Sequence, residues 1–266
     1  MTSYRIRTAA LLGLLTMTGC APGPIPPAAA LSPDQMAVMV MSAGGMVPSV
    51  ISAMQSPALV IYGDGTALTA LPAPALRAVP ARYEVARVDP DQVRQFVTEA
   101  QSSGLLGAGT DFGSPRATDL ATTTVLVRGD EQTAQVRVYA LNPRFETGLS
   151  TTQREARDRL RTLIERASAL PAAAARQPYS PERITVSEIP PGRNQDPATV
   201  VWPGPPLPDF LAPSATRRSV ACGELTGTTA DVVYRAALEN PGAGWLVGGT
   251  TRVLAVNPLP VEACDG

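Results

Sequence analysis

The chain contains no histidine and no lysine, so the 22 basic side chains among its 266 residues are all arginine. Without histidine, the Ser-His-Asp and Cys-His mechanisms and histidine-ligated zinc sites are excluded. Without lysine, Ser-Lys dyads, Schiff-base chemistry and the lysine of a Walker A loop are excluded too. These two absences remove most of the common enzyme classes.

Aromatic side chains and net charge are also scarce. Aromatic residues make up 5% of the chain and the net charge is −1. Nucleic-acid binding needs a basic stripe, so nucleic acid is not an expected partner. The hydrophobic content of 44% nevertheless supports a folded body, and the 27 prolines and 22 glycines predict long ordered connections within it.

The first twenty residues have the pattern of a bacterial lipoprotein signal. Arg5 and Arg7 precede the apolar run 9–17, which is shorter than the roughly 20 residues of a spanning helix. A Thr-Gly pair then precedes Cys20. We expect residues 1–19 to be removed as a signal peptide and Cys20 to be lipidated, with an ordinary secretory signal as the alternative.

Residues 20–34 are rich in proline and predict a flexible, semi-extended tether of roughly 3 Å per residue. No later run of the sequence is apolar enough to span a bilayer, so lipid is the expected anchor. The predicted location is the extracytoplasmic face of the cell membrane. The expected partners are therefore the membrane, through the lipid, and an envelope protein or a cell-wall component.

Beyond Cys20 the chain has two cysteines, Cys222 and Cys264. In an oxidising compartment this pair is expected to form a disulfide, with two free buried thiols as the alternative. A zinc site is disfavoured because a structural zinc takes four ligands. No metal site, no cofactor and no catalytic residue is predicted.

The periodicity of the sequence predicts an α+β fold, with antiparallel hairpins and helices packed on one face, plus a disulfide-tied C-terminal β-α-β unit. We expect a main α+β domain at 35–186, a proline-rich connector at 187–216 and a C-terminal α+β unit at 217–266. Trp202 and Phe210 are expected to pin the connector to the core. The alternative is an extended ligand for the groove of a partner.

Two hairpins and two helices are predicted in the main domain. The hairpins cover 59–71 and the pair 124–128 and 134–140. One helix begins after Asp89 and the other covers 152–170. The first helix has four apolar residues on one face: Val93, Phe96, Val97 and Ala100. The arginines of the second helix, mixed with acids, indicate a solvated face, with contact to anionic lipid or polymer as the alternative.

The segment 107–123 is the candidate binding loop. It is long, it joins two regular elements, and it carries Asp111, Arg116 and Asp119 close together in sequence. A packed Ω-like loop is the alternative.

Three functions from different classes remain open. The leading one is a non-enzymatic binding or interaction module of the envelope. An enzyme based on carboxylates would need two of four candidate side chains in one pocket, at least one with a raised pKa. These candidates are Asp64, Glu84, Asp111 and Asp119. A carrier or sensor of a small apolar ligand would need a roomy cavity between sheet and helices.

Three parts of the chain resemble uncharacterised actinobacterial secreted lipoproteins. They are the stretch 57–65, the connector motifs Gly113-Ser114-Pro115, Thr118-Asp119 and Thr122-Thr123, and the ending Asn257-Pro258-Leu259-Pro260 before Cys264. The similarity spans most of the chain after the signal. It implies a lipid-anchored envelope protein and provides no catalytic residue.

Overall fold

The protein folds into two β-sheets with helices packed against them. The computed structural model describes residues 31–73, 78–130, 132–190, 198–213, 221–259 and 264. Within these residues there are a seven-stranded sheet, a six-stranded sheet and four α-helices. The fold is therefore α+β, which confirms the predicted class. The predicted lipidation site, Cys20, lies outside the described residues.

The first sheet is antiparallel throughout. Its strands in chain order are β1 (Met36–Gly44), β2 (Leu59–Tyr62), β3 (Thr66–Ala70), β4 (Tyr83–Arg87), β5 (Ala121–Arg128), β6 (Thr133–Tyr139) and β7 (Gln177–Pro178). Their spatial order is β6-β5-β1-β2-β3-β4-β7, so β6 and β7 form the two edges. The same part of the chain supplies α1 (Ser49–Ala53), α2 (Pro90–Ser102) and α3 (Thr151–Ala169).

Strand β1 lies near the centre of this sheet, and the sequence analysis did not predict it. It pairs with β2 on one side and with β5 on the other. Two consecutive residues of β1, Val38 and Met39, are both buried. They belong to apolar clusters on opposite faces of the sheet. A strand covered on both faces has no apolar–polar alternation, and methionine and alanine also favour helices. The pattern was therefore ambiguous.

The two long helices cover one face of the first sheet. The carboxylate of Asp89 caps α2 by accepting a hydrogen bond from the amide of Asp91 at 2.9 Å. The predicted apolar face of α2 is buried, which confirms that prediction. In α3 the buried residues include Arg157 among alanines and leucines. The prediction of a solvated arginine face therefore fails at Arg157.

The second sheet has six strands. They are β8 (Arg183–Ile189), β9 (Thr199–Val201), β10 (Ala212–Pro213), β11 (Ala221–Thr226), β12 (Gly244–Val247) and β13 (Thr250–Asn257). Their spatial order is β10-β11-β8-β13-β12-β9, and only the β9–β12 pair is parallel. Helix α4 (Gly227–Glu239) packs on one face and buries Val233 and Tyr234 there.

The second sheet begins before the boundary expected between 186 and 187, because that boundary lies inside β8. The segment 187–216, expected as a connector, supplies β9 and β10. Trp202 is buried there, with its ring 5.4 Å from that of Trp245. The sequence analysis missed these strands because their segment is rich in proline. Short edge strands nevertheless tolerate proline.

The C-terminal residues are tied to the second sheet and touch the first. Cys222 and Cys264 form the predicted disulfide, with Cα atoms 5.5 Å apart, a usual separation for such a bond. At the end of β13, the buried Asn257 accepts a hydrogen bond from the Ser56 hydroxyl at 2.8 Å. Leu259 joins the apolar cluster on the face of the first sheet opposite α2 and α3.

Candidate functional site

The three side chains of the predicted binding loop are exposed and do not converge. Asp111 accepts hydrogen bonds from the amide of Gly113 at 2.8 Å and from Gln153 of α3 at 2.9 Å. The hydrogen bond from Gln153 is the main reason why the pKa of Asp111 lies below its ordinary value. Among the described residues, no hydrogen bond or ion pair links Asp111, Arg116 and Asp119 to one another.

Of the four candidate carboxylates, Asp64, Glu84 and Asp111 each interact with a different partner. Asp64 pairs with Arg87 at 2.6 Å. Burial opposes the charged form of Asp64, but hydrogen bonds from Thr66 and Arg87 outweigh it and lower the pKa. Glu84 pairs with Arg176 at 3.3 Å. The lowered pKa of Asp64 opposes a role as general acid, which needs a raised pKa.

A buried arginine, which the sequence analysis did not single out, organises the candidate loop. The side chain of Arg157 is 0% exposed, and its Nε donates to Glu146 at 3.0 Å. Its Nη1 donates to the carbonyl of Phe112 at 3.1 Å, and its Nη2 donates to the carbonyls of Tyr139 and Ala140. The guanidinium therefore ties the loop and the end of β6 to helix α3.

Further contacts fix the same loop along its length. The Tyr139 hydroxyl donates to the carbonyl of Ala117 at 2.9 Å. The carbonyl of Asp119, a residue with φ of +61°, accepts from the amide of Met46 at 3.2 Å. The loop is thus held from α3, from β6 and from the segment after β1. This is the packed-loop alternative of the sequence analysis.

The packed loop forms one wall of a groove, and edge strand β6 forms the other. The groove has a volume of about 540 Å³. Its lining includes Leu106, Thr110 and Phe112 from the loop side and the segment 132–137 from the strand side. Gln101 of α2 bridges one end by donating to the carbonyl of Gln132 at 2.8 Å.

The register of β6 shows which of its backbone groups point into the open. Just beyond the two ends of the β5–β6 ladder, Gly129 donates to the carbonyl of Gln132 and Ala140 donates to that of Ala121. In an antiparallel pair such hydrogen-bonded positions alternate with outward ones. Even-numbered residues of β6 therefore bond to β5. The N–H and C=O groups of Thr133, Gln135 and Arg137 point away from it.

These outward groups have no hydrogen-bond partner among the described residues. The carbonyl of Tyr139, at the next outward position, does have one, because Arg157 donates to it. A free edge of this kind is a template for another strand, and proteins commonly blunt it. The unpaired part of the β6 edge therefore covers residues 133–137, next to the position that Arg157 occupies at Tyr139.

The other three sheet edges in the described part of the chain are blunted. Strands β7 and β10 have two residues each, and one of the two is proline. Strand β9 has three residues. Strand β6 has seven residues and no proline. Its edge is therefore the one suited to pairing with another chain.

Among the described residues that line the groove, one has a charged side chain, Arg137. The other lining residues are Gln, Thr, Gly, Ala, Leu, Phe and Val. Arg137 is exposed and forms no ion pair with another described residue. Within the part of the chain that the structure describes, the groove therefore presents a backbone edge with one positive charge that has no ion-pair partner.

A second cavity, of about 340 Å³, lies between the β3–β4 connection and the end of α4. Leu71, Val79, Pro80 and Leu238 supply part of its apolar lining, and Arg235 is among its charged residues. It therefore lies where the first sheet meets helix α4 of the second sheet. The carrier hypothesis expected a roomy cavity between sheet and helices.

Two further properties concern membranes and metals. In the part of the chain that the structure describes, no helix combines the length and the apolar character needed to cross a bilayer. Over the same residues, no three His, Cys, Asp or Glu side chains cluster closely enough to hold a metal ion.

Comparison of the chain with protein-family models, with curated proteins and with solved structures finds no match. Function must therefore be inferred from the sequence and from the geometry of the molecule itself.

Proposed function

We propose that the protein is a lipid-anchored, extracytoplasmic envelope protein that acts as a non-enzymatic binding module through the groove along β6. The observation that carries this proposal is a seven-residue edge strand with unpaired backbone groups beside a groove of about 540 Å³. A free edge is a liability that a protein usually removes. Its retention next to a firmly held loop supports a binding role.

The amino-terminal sequence supports the location. Cys20 follows a charged and then apolar signal with a Thr-Gly pair before it. Between Cys20 and Leu31, where the described chain begins, a proline-rich spacer would reach roughly 35 Å at about 3 Å per residue. The body would stand off the membrane with room for a partner beside it.

The contacts of the acidic residues favour binding over carboxylate chemistry. Asp64 and Glu84 are paired with arginines, and Asp111 is hydrogen-bonded to Gln153. The pKa of Asp64 and that of Asp111 are lowered, which opposes a role as proton donor.

The cavity of about 340 Å³ favours a second candidate function, a carrier of a small apolar ligand. Its volume is near the lower end of the range of small-molecule sites, roughly 300–1,000 Å³. Native mass spectrometry of the purified full chain tests this candidate. A bound small molecule that is lost in a Leu238→Trp variant would support it, and a ligand-free mass would count against it.

The binding proposal is tested by site-specific photo-crosslinking in cells. A photoreactive amino acid replaces Gln135 in the groove or, as the matched control, Val232 on the exposed side of α4. We expect a discrete crosslinked species from position 135, its loss in a Cys20→Ala background, and none from position 232. Equal crosslinking at both positions, or none at 135, would contradict the proposal.

The lipid anchor is tested separately by labelling growing cells with an alkyne-bearing fatty acid. We expect the label on the wild-type protein and not on the Cys20→Ala variant. Label on both forms, or on neither, would remove the anchor from the proposal and leave the groove to be judged by crosslinking.

A further inference from the structure

We infer that the groove binds an extended, acidic peptide segment of a partner protein as an additional antiparallel strand on β6. This inference rests on the proposed binding function and specifies its mode of recognition. The partner would be held mainly through its backbone, with one carboxylate placed near Arg137.

Backbone geometry supports strand addition. The outward positions Thr133, Gln135 and Arg137 each offer one N–H donor and one C=O acceptor, repeating at every second residue as a strand requires. A peptide paired along 133–137 would cover about 17 Å at roughly 3.4 Å per residue. Main-chain hydrogen bonds provide affinity in such complexes, and side-chain contacts provide specificity.

The loop wall suits a single extended segment. The loop faces β6 across the groove and is held by Arg157 and Tyr139. An incoming strand would therefore lie beside a packed wall, in which Leu106 and Phe112 line the groove and are largely buried in the core. A wall that is already ordered reduces the conformational entropy lost on binding.

Charge complementarity favours an acidic peptide over the other candidate occupants. A carboxylate on the added strand would neutralise Arg137, and opposite charges on facing strands stabilise the pair. A second copy paired through β6 would bring another Arg137 instead of an acidic residue. Residues 21–30 of the chain itself contain no acid and four prolines, which have no N–H to donate.

The test uses the full chain purified in detergent and a displayed library of random ten-residue peptides. We expect enriched peptides to contain aspartate or glutamate and to lack proline. Gln135→Pro removes one outward N–H and should weaken their binding about tenfold. Gln135→Ala keeps that N–H and should change binding less than about threefold. Arg137→Glu should also weaken the binding of the acidic peptides.

A measurement on the wild-type protein makes the test independent of whether Gln135→Pro folds. Peptide addition should slow hydrogen exchange at the amides of Gln135 and Arg137. It should leave that of Val136, which already bonds to β5, nearly unchanged.

Three results would overturn the inference. They are failure to enrich any peptide, equal binding to a folded Gln135→Pro variant, and concentration-dependent dimerisation that Gln135→Pro abolishes, which would identify a second copy as the occupant. If crosslinking at position 135 nevertheless finds a partner in cells, the binding function stands and only strand addition falls.

Discussion

The molecule has two units, the first sheet with α1, α2 and α3 and the second sheet with α4. They fix their irregular segments in different ways. In the first unit the fully buried Arg157 pairs with Glu146 and donates to the loop carbonyl of Phe112. In the second unit the Cys222–Cys264 disulfide holds the end of the chain to β11. The first solution depends on buried charges with good geometry, and the second depends on one covalent bond and the oxidising environment that preserves it.

The same contrast extends to the sheet edges. In the second unit, β9 and β10 are too short to template another strand, and β10 contains Pro213. In the first unit, β6 has an unpaired edge beside a loop whose Phe112 carbonyl is held by Arg157. The charge network therefore anchors the loop that lines the groove, whereas the disulfide anchors a chain end.

Removing the buried arginine should have the largest effect. Arg157→Met leaves three backbone carbonyls without a donor and Glu146 without one of its two cations. Breaking a buried ion pair costs about 3 to 5 kcal/mol, so we expect the free energy of unfolding in urea to fall by up to about 5 kcal/mol.

Arg154→Ala is the matched control for Arg157→Met, because Arg154 is exposed on the same helix. It should lower the free energy of unfolding by no more than about 0.5 kcal/mol. A loss below about 1 kcal/mol for Arg157→Met would show that the network does not hold the loop.

Removing the disulfide should rank second. The bond joins residues 42 positions apart. Closing a loop of this length stabilises the folded state by about 4 kcal/mol in the chain-entropy model. The double variant Cys222→Ala and Cys264→Ala should therefore unfold at lower urea concentration, as should the wild type in dithiothreitol.

The reductant provides the control, because it should not destabilise the double variant further. Peptide binding at the groove should persist under both conditions at urea concentrations where the first unit is folded. Loss of groove binding on reduction alone would contradict the division of roles between the two units.

The parts of the fold that were predictable are those set by neighbours in sequence. The hairpin at 59–71 and helix α2 carry turn and cap residues within a few positions of their ends, and both are present. The disulfide followed from having two cysteines beyond Cys20. Such features need no knowledge of distant contacts.

The features that were missed depend on residues far apart in the chain. The hydrogen-bond acceptors of Arg157 are Phe112, Tyr139, Ala140 and Glu146. No periodicity in α3 distinguishes this arginine from its exposed neighbours. Likewise, the alternating pattern of β6 predicted one buried face but not its position at an edge. An edge is a property of the whole sheet order.

The smallest predicted effect concerns pH and again separates the charge network from the disulfide. Burial opposes the charged form of Glu146, but hydrogen bonds from Arg161 at 2.5 Å and from Arg157 outweigh it and hold the pKa below its ordinary value of 4.5. A carboxyl with a lowered folded-state pKa binds fewer protons when folded than when unfolded. Its contribution to stability is present above the unfolded pKa and is lost as pH falls through the folded one.

We therefore expect the free energy of unfolding to decrease as pH falls from about 5 to about 3, with a shallower slope in Glu146→Gln. Asp111→Asn is the matched control, because Asp111 also has a lowered pKa but is exposed and screened by solvent. It should change the slope less. Equal slopes for wild type and Glu146→Gln would show that folding does not lower the pKa of Glu146, and the arginine contacts would then not favour its charged form.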